Sequence, residues 1–448
     1  MSDAPPDANS RESPEDTARR ISLALRRAGH EAWFVGGCVR DRLLGAEPED
    51  WDIATAARPE EVRALFDHTV PVGEAFGVIL VVEGGRSFEV ATFRTERDYE
   101  DGRRPSGVDF ATAEEDVRRR DFTVNGLLMD PETGEVRDLV DGRADLERRV
   151  IRTIGDPDER FAEDHLRSLR AVRFACGLGF DIDPETLAAV ARSAPYIQRI
   201  SAERIRVELT KILTRPGARR GFELLAETGL LGEVLPEVDR MRGCEQPPRF
   251  HPEGDVWEHT LAMLDGMPPS PDPRLAWGVV MHDVGKPPTR TEDPDGVRFY
   301  GHVQEGERLT EEIMTRLRFA RADIDAVKAL VHHHMRFMHV TEMRPNKLKR
   351  FLRIADFDLH LELHRLDCAS SHGKLDNYDF CVAKLAELGE EELRPPPLLT
   401  GRDLIDMGFE PGPVFSEIIT AVEDAQLDGR ISTRQEAQAL VRERWGRR

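Results

Sequence analysis

The sequence predicts a small mixed α/β sheet domain followed by all-α domains, and three observations support this prediction. Strand candidates bounded by glycine alternate with helix candidates as far as about residue 153. Helical periodicity replaces them after Gly155. At 448 residues the chain is too long for one ordinary hydrophobic core, so we expect roughly two to four domains.

The N-terminal region carries the strand candidates. Residues 1–15 lack apolar side chains that could be buried, which predicts a disordered tail, and residues 16–30 have helical periodicity. Four segments rich in Val, Ile and Phe predict strands, namely AWFVGG, WDIAT, GVILVVEGG and SFEVATFR. A helix is expected between the second and third of them, at RPEEVRALF. The region therefore predicts a small mixed sheet with helices.

The rest of the chain is predicted to be helical. Three segments carry apolar residues at i, i+3 and i+4, namely ERFAEDHLRSLRAVRFACGLGF, DPETLAAVARSAPYI and SAERIRVELTKIL. The segment DPRLAWGVVMHDVG begins a histidine-rich helical region that reaches about residue 380. RPPPLLTG predicts a linker at 394–401, and two short helices are expected after it.

Composition limits the class of protein and its compartment. Hydrophobic residues make up 40% of the chain and charged residues 33%, which is typical of a soluble globular protein. No apolar run of about 18 residues occurs, and the first residues do not form a secretory signal, so a membrane span is not expected. The five cysteines are scattered without a CxxC pair, which favours a reducing cytoplasm.

The net charge of −21 argues against a general affinity for nucleic acid. The charge is uneven, however, because residues 117–219 contain 19 Lys and Arg against 18 Asp and Glu. An RNA partner is therefore expected to bind locally around this segment, without steering by the field of the whole protein.

The segment GAEPEDWDIAT places two aspartates, Asp50 and Asp52, on either side of a tryptophan. Side chains at i and i+2 of an extended segment point to the same face, and two close carboxylates repel each other unless a cation lies between them. The pair therefore favours Mg²⁺, with a third carboxylate available from Glu89 in a strand that could pair alongside. The alternative is a solvated acidic turn.

A glycine turn precedes this pair in FVGGCVRDRLLG. Gly36 and Gly37 follow a predicted strand and allow the backbone to approach a phosphate, and Arg40 follows within reach for a charge-assisted contact. Together with the aspartates, this arrangement suits phosphoryl or nucleotidyl transfer.

Four segments in order resemble the class II tRNA nucleotidyltransferase and poly(A) polymerase family, namely FVGGCVRDRLLG, DWDIAT, RRRDFTVNGL and ERFAEDHLRSLRAVRF. The resemblance implies that Asp50 and Asp52 bind two catalytic Mg²⁺ ions, and that Gly37, Arg40 and Arg120 contact the nucleotide phosphates. It also implies that TERDYEDGRRPSGVDFATAEEDVRRRDFT is the family's flexible loop, whose presence favours an enzyme able to add A. The helices at about 175–230 would form a neck that holds the tRNA acceptor stem.

The segment EDHLRSLRAVR offers a way to choose a base. Asp164, Arg167, Arg170 and Arg173 follow at steps of three as helical neighbours, so one Asp–Arg pair can face a base while later arginines face phosphates or the helix packing. An Asp acceptor beside an Arg donor matches C and A, which carry an amino group next to an unprotonated ring nitrogen, and mismatches U and G. In the family, this motif selects CTP and ATP at the positions of Asp164 and Arg167. The alternative is a surface helix with ion pairs.

Histidines are concentrated in the second half of the chain, where 11 of the 14 fall between residues 251 and 372. His259, His282, Asp283 and Asp367 follow the H…HD…D order of the HD phosphohydrolase superfamily, and HDVGK after an apolar helix is its most recognisable part. Imidazole with carboxylate suits a transition metal such as Ni²⁺, Mn²⁺ or Fe.

Two further histidines extend this candidate site. His302, and either His333 or His334, are candidates for a second metal or for a phosphate contact. The alternatives are a hydrogen-bonded His–Asp pair in the core, or a domain retained for packing after its activity was lost.

The resemblance implies a cytoplasmic chain with two enzymes. An α/β nucleotidyltransferase head and an all-α neck would add CCA to tRNA 3′ ends from CTP and ATP, by attack of the tRNA 3′ hydroxyl on the α-phosphate with loss of pyrophosphate. An all-α HD domain would remove 2′-phosphate or 2′,3′-cyclic phosphate from damaged tRNA ends. The alternatives are a polymerase that adds only A, a hydrolase whose head merely binds nucleotides or tRNA, and a non-catalytic RNA-binding protein. The expected boundaries are 1–15 for the disordered tail, 16–153 for the head, 154–235 for the neck, 240–385 for the HD domain and 394–448 for the helical tail.

Overall fold

The computed structural model describes residues 12–73, 77–99, 105–247, 249, 251–294 and 296–446. The chain divides into two compact units, Met1–Asp239 and Arg240–Arg448. The first unit contains a mixed sheet followed by helices, and the second is predominantly helical. This arrangement confirms the predicted fold class.

The first unit begins with the strands of its sheet and of a separate ribbon. These are β1 (Ala32–Val35), β2 (Asp52–Thr55), β3 (Thr69–Gly73), β4 (Val78–Glu83), β5 (Arg86–Thr92), β6 (Arg94–Tyr99), β7 (Pro105–Phe110), β8 (Leu127–Met129) and β9 (Val136–Asp138). In the described residues the sheet has the order β3-β4-β5-β2-β1-β8-β9, and β6 pairs with β7 apart from it. β2 is parallel to β5, and the other neighbours in the sheet are antiparallel.

The four predicted strands are β1, β2, β4 and β5, and the sequence prediction missed the remaining strands. β8 and β9 have three residues each, which is too short for an alternating pattern to show. The segment expected to be a flexible loop contains the β6–β7 ribbon and a helix, and its residues 100–104 lie outside the described residues.

Short helices flank the sheet. They are α1 (Pro14–Arg27), α2 (Gly37–Leu43), α3 (Pro59–Leu65), α4 (Ala113–Arg118), α5 (Gly142–Arg148) and a 3₁₀ helix at Thr123–Asn125. α1 begins two residues before the predicted boundary, because the Ser13 hydroxyl accepts a hydrogen bond from the Asp16 amide and Pro14 occupies the first helical position. Residues 1–11 of the expected disordered tail lie outside the described residues.

The sheet packs against α4 through a buried apolar cluster that includes Val35, Ala54, Phe93, Val117 and Leu128. These side chains come from β1, β2, β8, α4 and the residue that follows β5. The cluster therefore fixes Gly36, which follows β1, and Asp52, which begins β2, relative to the residues after α4.

The helical part of the first unit follows. It contains β10 (Val150–Ile151), α6 (Pro157–Glu163), α7 (Leu166–Leu178), β11 (Asp181–Ile182), α8 (Pro184–Ser193), a 3₁₀ helix at Ala194–Arg199, α9 (Ala202–Leu213), α10 (Ala218–Glu227), α11 (Leu230–Val234) and α12 (Pro236–Asp239). The prediction of one continuous helix through EDHLRSLR is wrong. Asp164 has φ −142° and ψ 103°, so the chain is extended there, and its side chain accepts the amide of Leu166 at the start of α7.

The second unit is built mainly from helices. They are α13 (Val256–Asp265), α14 (Pro273–Met281), α15 (Lys286–Thr289), α16 (His302–Arg316), α17 (Arg321–His333), a 3₁₀ helix at His334–Glu342, α18 (Pro345–Leu352), α19 (Phe357–Ser370), α20 (Asp376–Glu387), α21 (Glu390–Leu393), α22 (Gly401–Asp406), α23 (Pro413–Leu427) and α24 (Arg434–Trp445). A short ribbon of β12 (Thr291–Asp293) and β13 (Gly296–Arg298) interrupts them.

The C-terminal region has three helices among the described residues, where the sequence predicted two. α22, α23 and α24 meet in an apolar cluster that includes Leu404, Ile418, Val422, Ala437 and Val441. Across the described part of the chain, no helix is both long enough and apolar enough to cross a membrane.

Candidate active sites in the two units

A cleft of about 700 Å³ opens in the first unit. It is lined by every head and neck residue that the sequence singled out except Glu89, namely Gly36, Gly37, Arg40, Asp50, Asp52, Arg120, Asp164, Arg167, Arg170 and Arg173. The glycine turn, the aspartate pair and the arginine-rich helix α7 therefore share one cavity, although Gly36 and Arg173 are 137 residues apart in the chain.

The tryptophan between the two aspartates explains their orientation. Trp51 is 4% exposed, and its ring lies edge-on to Phe34 of β1 with the ring centroids 4.8 Å apart. Because Trp51 is anchored in the core, Asp50 and Asp52 on either side of it both line the cleft. The predicted alternation therefore holds, although only Asp52 belongs to the strand.

Glu89 lies on the neighbouring strand. Ile53 pairs with Val90 in parallel register, which sets Asp52 beside Glu89. Burial, followed by the charge of Glu89, raises the pKa of Asp52 to about 6, although Arg120 acts in the opposite direction. Among the described residues, Asp50, Asp52 and Glu89 do not place three oxygen atoms within 4.8 Å of one another.

The donor set at this position fits a divalent cation. Asp50 and Asp52 offer carboxylate oxygens, which are the ligands that Mg²⁺ prefers. The raised pKa of Asp52 shows that its negative charge is incompletely balanced by the surrounding protein. A bound cation would balance it, so the residues present fit the magnesium site that the sequence predicts.

The guanidinium of Arg120 and the glycine turn at Gly36 both lie close to the Asp52 carboxylate. Gly36 has φ 74°, in the left-handed region that favours glycine, and a Cβ there would lie 3.5 Å from Arg120 Nη1 and 4.0 Å from Asp52 Oδ2. Asp116 holds the Arg120 side chain, because Arg120 Nη2 donates a hydrogen bond to Asp116 Oδ2 at 2.9 Å. Burial raises the pKa of Asp116, but Arg120 and Arg119 outweigh it and leave the pKa below its usual value.

A buried hydrogen-bond chain connects Arg40 to Arg170. Arg40 Nη1 donates to Asn125 Oδ1 at 2.7 Å, and Asn125 Nδ2 donates to Asp121 Oδ1 at 3.1 Å. Arg170 Nε and Nη2 donate to Asp121 Oδ2 at 2.8 and 2.6 Å. The sequence prediction missed Asp121 and Asn125, although both lie in the quoted segment RRRDFTVNGL, because spacing alone does not reveal partners on α2 and α7.

Arg173 lines the cleft and is paired with a carboxylate on the neighbouring helix α9. Its Nε donates to Glu208 of α9 at 2.6 Å, and both side chains are buried. The guanidinium also lies 4.0 Å from the centroid of the Phe174 ring, and those of Arg40 and Arg170 each lie 5.3 Å from it. Three arginines thus surround one aromatic ring at the wall of the cleft.

Asp164 and Arg167 line the cleft but are not paired with each other. Asp164 Oδ2 accepts Arg204 Nη2 at 2.7 Å. Arg167 Nη1 donates to Glu163 Oε2 at 2.6 Å. Asp164 lies in the extended break before α7, so the prediction that it belongs to the same helix as Arg167 is wrong. Its carbonyl oxygen still accepts a hydrogen bond from the Arg167 amide at 3.0 Å, and both residues line the same cavity.

The second unit collects the predicted histidines and aspartates around a buried centre. His259, His282 and Asp367 each place one ligand atom within 4.8 Å of the others. His259 Nε2 lies 3.2 Å from Asp367 Oδ1, and the centroids of the His259 and His282 rings are 5.4 Å apart. These three residues form a candidate metal centre, which we call the first ligand group.

Asp283, His302 and His334 form a second ligand group by the same measure. The Nε2 atoms of His302 and His334 lie 4.0 and 3.9 Å from Asp283 Oδ1, while Asp283 Oδ2 lies 3.1 Å from His282 Nε2. Asp283 therefore stands between the two groups. Of the two histidines left open by the sequence, His334 joins the site, and His333 instead packs near Phe351.

The backbone fixes which nitrogen of each histidine faces the centre. The Nδ1 atoms of His282, His302 and His334 lie 2.8, 2.9 and 2.6 Å from the carbonyl oxygen three residues earlier in the chain. A carbonyl only accepts, so Nδ1 carries the proton and Nε2 presents its lone pair inward. The buried Nε2 atoms of His302 and His334 have no hydrogen-bond partner among the described residues.

The two ligand groups differ in how they affect the protonation of their histidines. Burial lowers the pKa of His334 to about 4, which keeps it a neutral donor. Burial also opposes protonation of His259, but hydrogen bonds to Asp367 and Glu253 outweigh it and raise the pKa of His259 to about 9. The neutral imidazole of His334, and carboxylates that favour a cation beside His259, together fit a transition metal.

The sequence prediction missed two residues around this centre. Glu253 Oε1 lies 2.7 Å from His259 Nδ1, and Lys286 Nζ lies 2.6 Å from Asp283 Oδ2. Gly285, the glycine of HDVGK, is a sequence feature that could have indicated close packing of another element at this position. A Cβ at Gly285 would lie 2.1 Å from the carbonyl oxygen of His302, so glycine allows α16 to approach Asp283.

Three family models match the chain. Residues 32–152 match the poly A polymerase head domain, residues 179–242 match the probable RNA and SrmB-binding site of polymerase A, and residues 255–357 match the HD domain. The head-domain match contains the glycine turn and the aspartate pair. The HD-domain match contains most of the candidate metal centre of the second unit.

Whole-chain comparisons agree with these matches. A CCA-adding enzyme of Streptococcus gordonii is 36% identical over 415 residues, which cover 92% of this chain and 93% of that protein. A CCA-adding enzyme of Geobacillus stearothermophilus is 49% identical over 218 residues, which cover 48% of this chain and 54% of that protein. The crystal structure of the Bacillus stearothermophilus CCA-adding enzyme in complex with CTP is 29% identical, with a TM-score of 0.74 and coverage of 97% of this chain and 98% of the other.

Proposed function

Since this chain belongs to the family of CCA-adding enzymes and is a nucleotidyltransferase, we propose that it adds CCA to tRNA 3′ ends from CTP and ATP. The names of its relatives, and the CTP bound by the Bacillus stearothermophilus enzyme, support this substrate choice. The observation that carries the proposal is the single cleft shared by Asp50, Asp52 and the arginines of α7.

The cleft supplies the groups that nucleotidyl transfer needs. The terminal hydroxyl oxygen of the tRNA forms a bond to the α-phosphorus and releases its proton to water, while the bond from that phosphorus to the bridging oxygen breaks and pyrophosphate leaves. Two Mg²⁺ ions held by Asp50 and Asp52 would supply charge stabilisation for this reaction. Arg40, Arg120 and Arg170 line the same cleft, where their charges would hold the triphosphate.

Base selection would use Asp164 and Arg167. Asp164 carries acceptor oxygens and Arg167 carries N–H donors, and both line the cleft. Cytosine and adenine present a donor next to an acceptor, whereas uracil and guanine present a carbonyl next to a ring N–H. A buried polar site left unpaired by the wrong base discriminates strongly.

We also propose that the second unit is a metal-dependent phosphohydrolase. Its two ligand groups, joined at Asp283, would hold Ni²⁺, Mn²⁺ or Fe, and a bound metal would activate water and polarise a phosphate. The 2′-phosphates and 2′,3′-cyclic phosphates of damaged tRNA ends are the proposed substrates. Lys286, buried beside Asp283, adds a positive charge at the same centre.

A stepwise incorporation assay tests the polymerase function. A tRNA transcript that ends at its discriminator base is incubated with labelled CTP alone, and then with both CTP and ATP. We expect addition of CC with CTP alone and of the terminal A only when ATP is present. Incorporation of A without C would instead indicate an A-only polymerase.

The Asp52→Ala variant separates this proposal from a hydrolase with a nucleotide-binding head. Nucleotidyl transfer should disappear in the variant, while release of phosphate from a 2′-phosphorylated tRNA end should persist. His282→Ala is the matched variant of the second unit and should show the reverse pattern. If Asp52→Ala retained transfer, the proposed polymerase site would be wrong.

A further inference from the structure

We propose that Arg204 is a positioning residue for base selection, because it holds the Asp164 carboxylate in the orientation that accepts a base amino group. The inference rests on the proposed CCA-adding function and assigns a role to a residue outside the motifs that the sequence singled out. Arg204 lies near the start of α9, about 40 residues after Asp164, and lines the same cleft.

Asp164 cannot obtain a fixed orientation from helix geometry. Its backbone is extended between α6 and α7, so no helical turn restricts its side chain. Two contacts hold it instead. Asp164 Oδ1 accepts a hydrogen bond from the amide of Leu166 at 3.1 Å, and Asp164 Oδ2 accepts one from Arg204 Nη2 at 2.7 Å.

The two contacts differ in strength and in origin. The amide of Leu166, at the start of α7, donates to Oδ1 alone, and this single neutral hydrogen bond leaves the position of Oδ2 unfixed. Arg204 comes from a separate helix, and its contact is a charge-assisted hydrogen bond. α9 is itself fixed to α7 by the buried Arg173–Glu208 pair, so Arg204 is a stable reference point.

Arg167 is fixed independently of Arg204. Its Nη1 donates to the carbonyl of Arg160 at 3.0 Å and to Glu163 at 2.6 Å, and its Nη2 donates to the carbonyl of Arg119 at 3.0 Å. The donor half of the selecting pair is therefore anchored by α6 and by the residues after α4, and the acceptor half by α9. Loss of Arg204 should disturb the acceptor half alone.

This division predicts a specific functional defect. A carboxylate accepts up to about four hydrogen bonds, so the two existing contacts leave Asp164 able to accept a base amino group as well. Without Arg204 the carboxylate can rotate away from that position, and the penalty for placing a carbonyl against it is reduced. Discrimination of CTP from UTP should therefore fall, while the triphosphate contacts of the cleft remain.

The test compares kcat/KM for CTP and for UTP in wild type, Arg204→Ala and Arg204→Lys, with a tRNA that lacks CCA. We expect the CTP/UTP ratio to fall by about tenfold or more in Arg204→Ala, the size of one charge-assisted hydrogen bond. Arg204→Lys keeps the charge and should restore part of the ratio. Arg192→Ala is the matched control, because Arg192 pairs with Asp158 on the surface of the same unit.

A double-mutant cycle asks whether Arg204 acts through Asp164. In an Asp164→Ala background, Arg204→Ala should change the CTP/UTP ratio by less than about twofold, since the group it positions is gone. Equal losses for CTP and UTP in Arg204→Ala, with the ratio unchanged, would overturn the inference and indicate a phosphate or RNA contact. A full effect in the Asp164→Ala background would overturn it as well.

Two measurements keep this test separate from folding and from the proposed function. Far-UV circular dichroism and the melting temperature of Arg204→Ala should match those of Arg192→Ala, and Arg204→Lys supplies a second folded variant. If the wild type adds neither C nor A, the proposed function fails. If the wild type adds CCA selectively and Arg204→Ala keeps that selectivity, only the positioning role fails.

Discussion

Asp121 accepts two hydrogen bonds from the guanidinium of Arg170, at 2.8 Å from Nε and 2.6 Å from Nη2. Asp121 follows α4 in the head, and Arg170 lies on α7 in the helical part of the first unit. The pair therefore ties the two walls of the cleft together. Through Asn125 the same carboxylate also supports Arg40 on α2.

This pair should make the stability of the first unit depend on pH. Burial raises the pKa of Asp121, but Arg170 and Asn125 outweigh it and hold the pKa well below its usual value. The stabilisation is therefore complete above the unfolded pKa of about 4 and is lost as the pH falls below it. Asp121→Asn should be less stable than wild type by about 2 kcal/mol at pH 7.

The two proteins should converge in acid. The difference in free energy of unfolding should shrink by about 1 kcal/mol between pH 7 and pH 3, because the unfolded chain takes up a proton on Asp121 there while the folded carboxylate stays ionised. Urea unfolding followed by circular dichroism at each pH measures this difference. A constant difference across the range would mean that the charge of Asp121 is not what stabilises the unit.

The buried Arg173–Glu208 pair leads to a different prediction. Both side chains are less than 10% exposed, so Glu208→Ala leaves an uncompensated buried charge and should cost about 3–5 kcal/mol. Replacing both residues with apolar ones of similar size, as in Arg173→Met with Glu208→Leu, should recover most of that loss. Thermal unfolding of the three proteins checks this, with the exposed Asp158→Ala as control. Equal melting temperatures for wild type and Glu208→Ala would contradict it.

The first unit shows what sequence patterns can and cannot supply. Asp50 and Asp52 could be placed on one face because period-2 alternation is a property of the extended backbone itself. Asp164 could not be placed from its spacing. Its side chain accepts a hydrogen bond from the Leu166 amide and caps α7, which interrupts a segment whose apolar spacing resembles one continuous helix. The partners Asn125, Glu208 and Arg204 depend on contacts between distant segments, which spacing does not encode.

Glu253 offers a test of how the second-unit centre is built. Its Oε1 lies 2.7 Å from His259 Nδ1, so it should orient the ring with Nε2 toward the metal. Glu253→Gln should weaken binding of Mn²⁺ or Ni²⁺ by about 10–100-fold. Isothermal titration of the full chain in an Asp52→Ala background, which removes the head site, measures this affinity. The exposed Glu245→Gln is the control, and an unchanged affinity in Glu253→Gln would refute the orienting role.

The two ligand groups predict the number of transition-metal ions that the second unit binds. Asp283 stands between the groups, so wild type saturated with Mn²⁺ should hold about two ions per chain in the same Asp52→Ala background. His302→Ala and His334→Ala should each reduce this to about one. Elemental analysis after gel filtration gives the number directly. One ion in wild type, unaffected by either substitution, would show that the second group is not a metal site.

In the second unit, the sequence predicted the position of the candidate metal centre but not its internal arrangement. The order His259, His282-Asp283, Asp367 already indicated the centre, because it follows the order of the HD phosphohydrolase superfamily. The division into two groups around Asp283 was not predictable, since it depends on where α16 and the 3₁₀ helix at His334–Glu342 approach α14. Glu253 carried no signal of its own in the sequence.

The decisive experiment compares the initial rate of CMP incorporation into a tRNA that lacks CCA for wild type, Asp52→Ala and Glu47→Ala. Glu47 is an exposed acidic residue at the edge of the same cleft, so its variant controls for loss of negative charge. If Asp52 holds a catalytic ion, Asp52→Ala should lose about 10³-fold in rate with an unchanged melting temperature, while Glu47→Ala should stay within about twofold of wild type. An Asp52→Ala protein that retained more than about a tenth of the wild-type rate would contradict this role of Asp52.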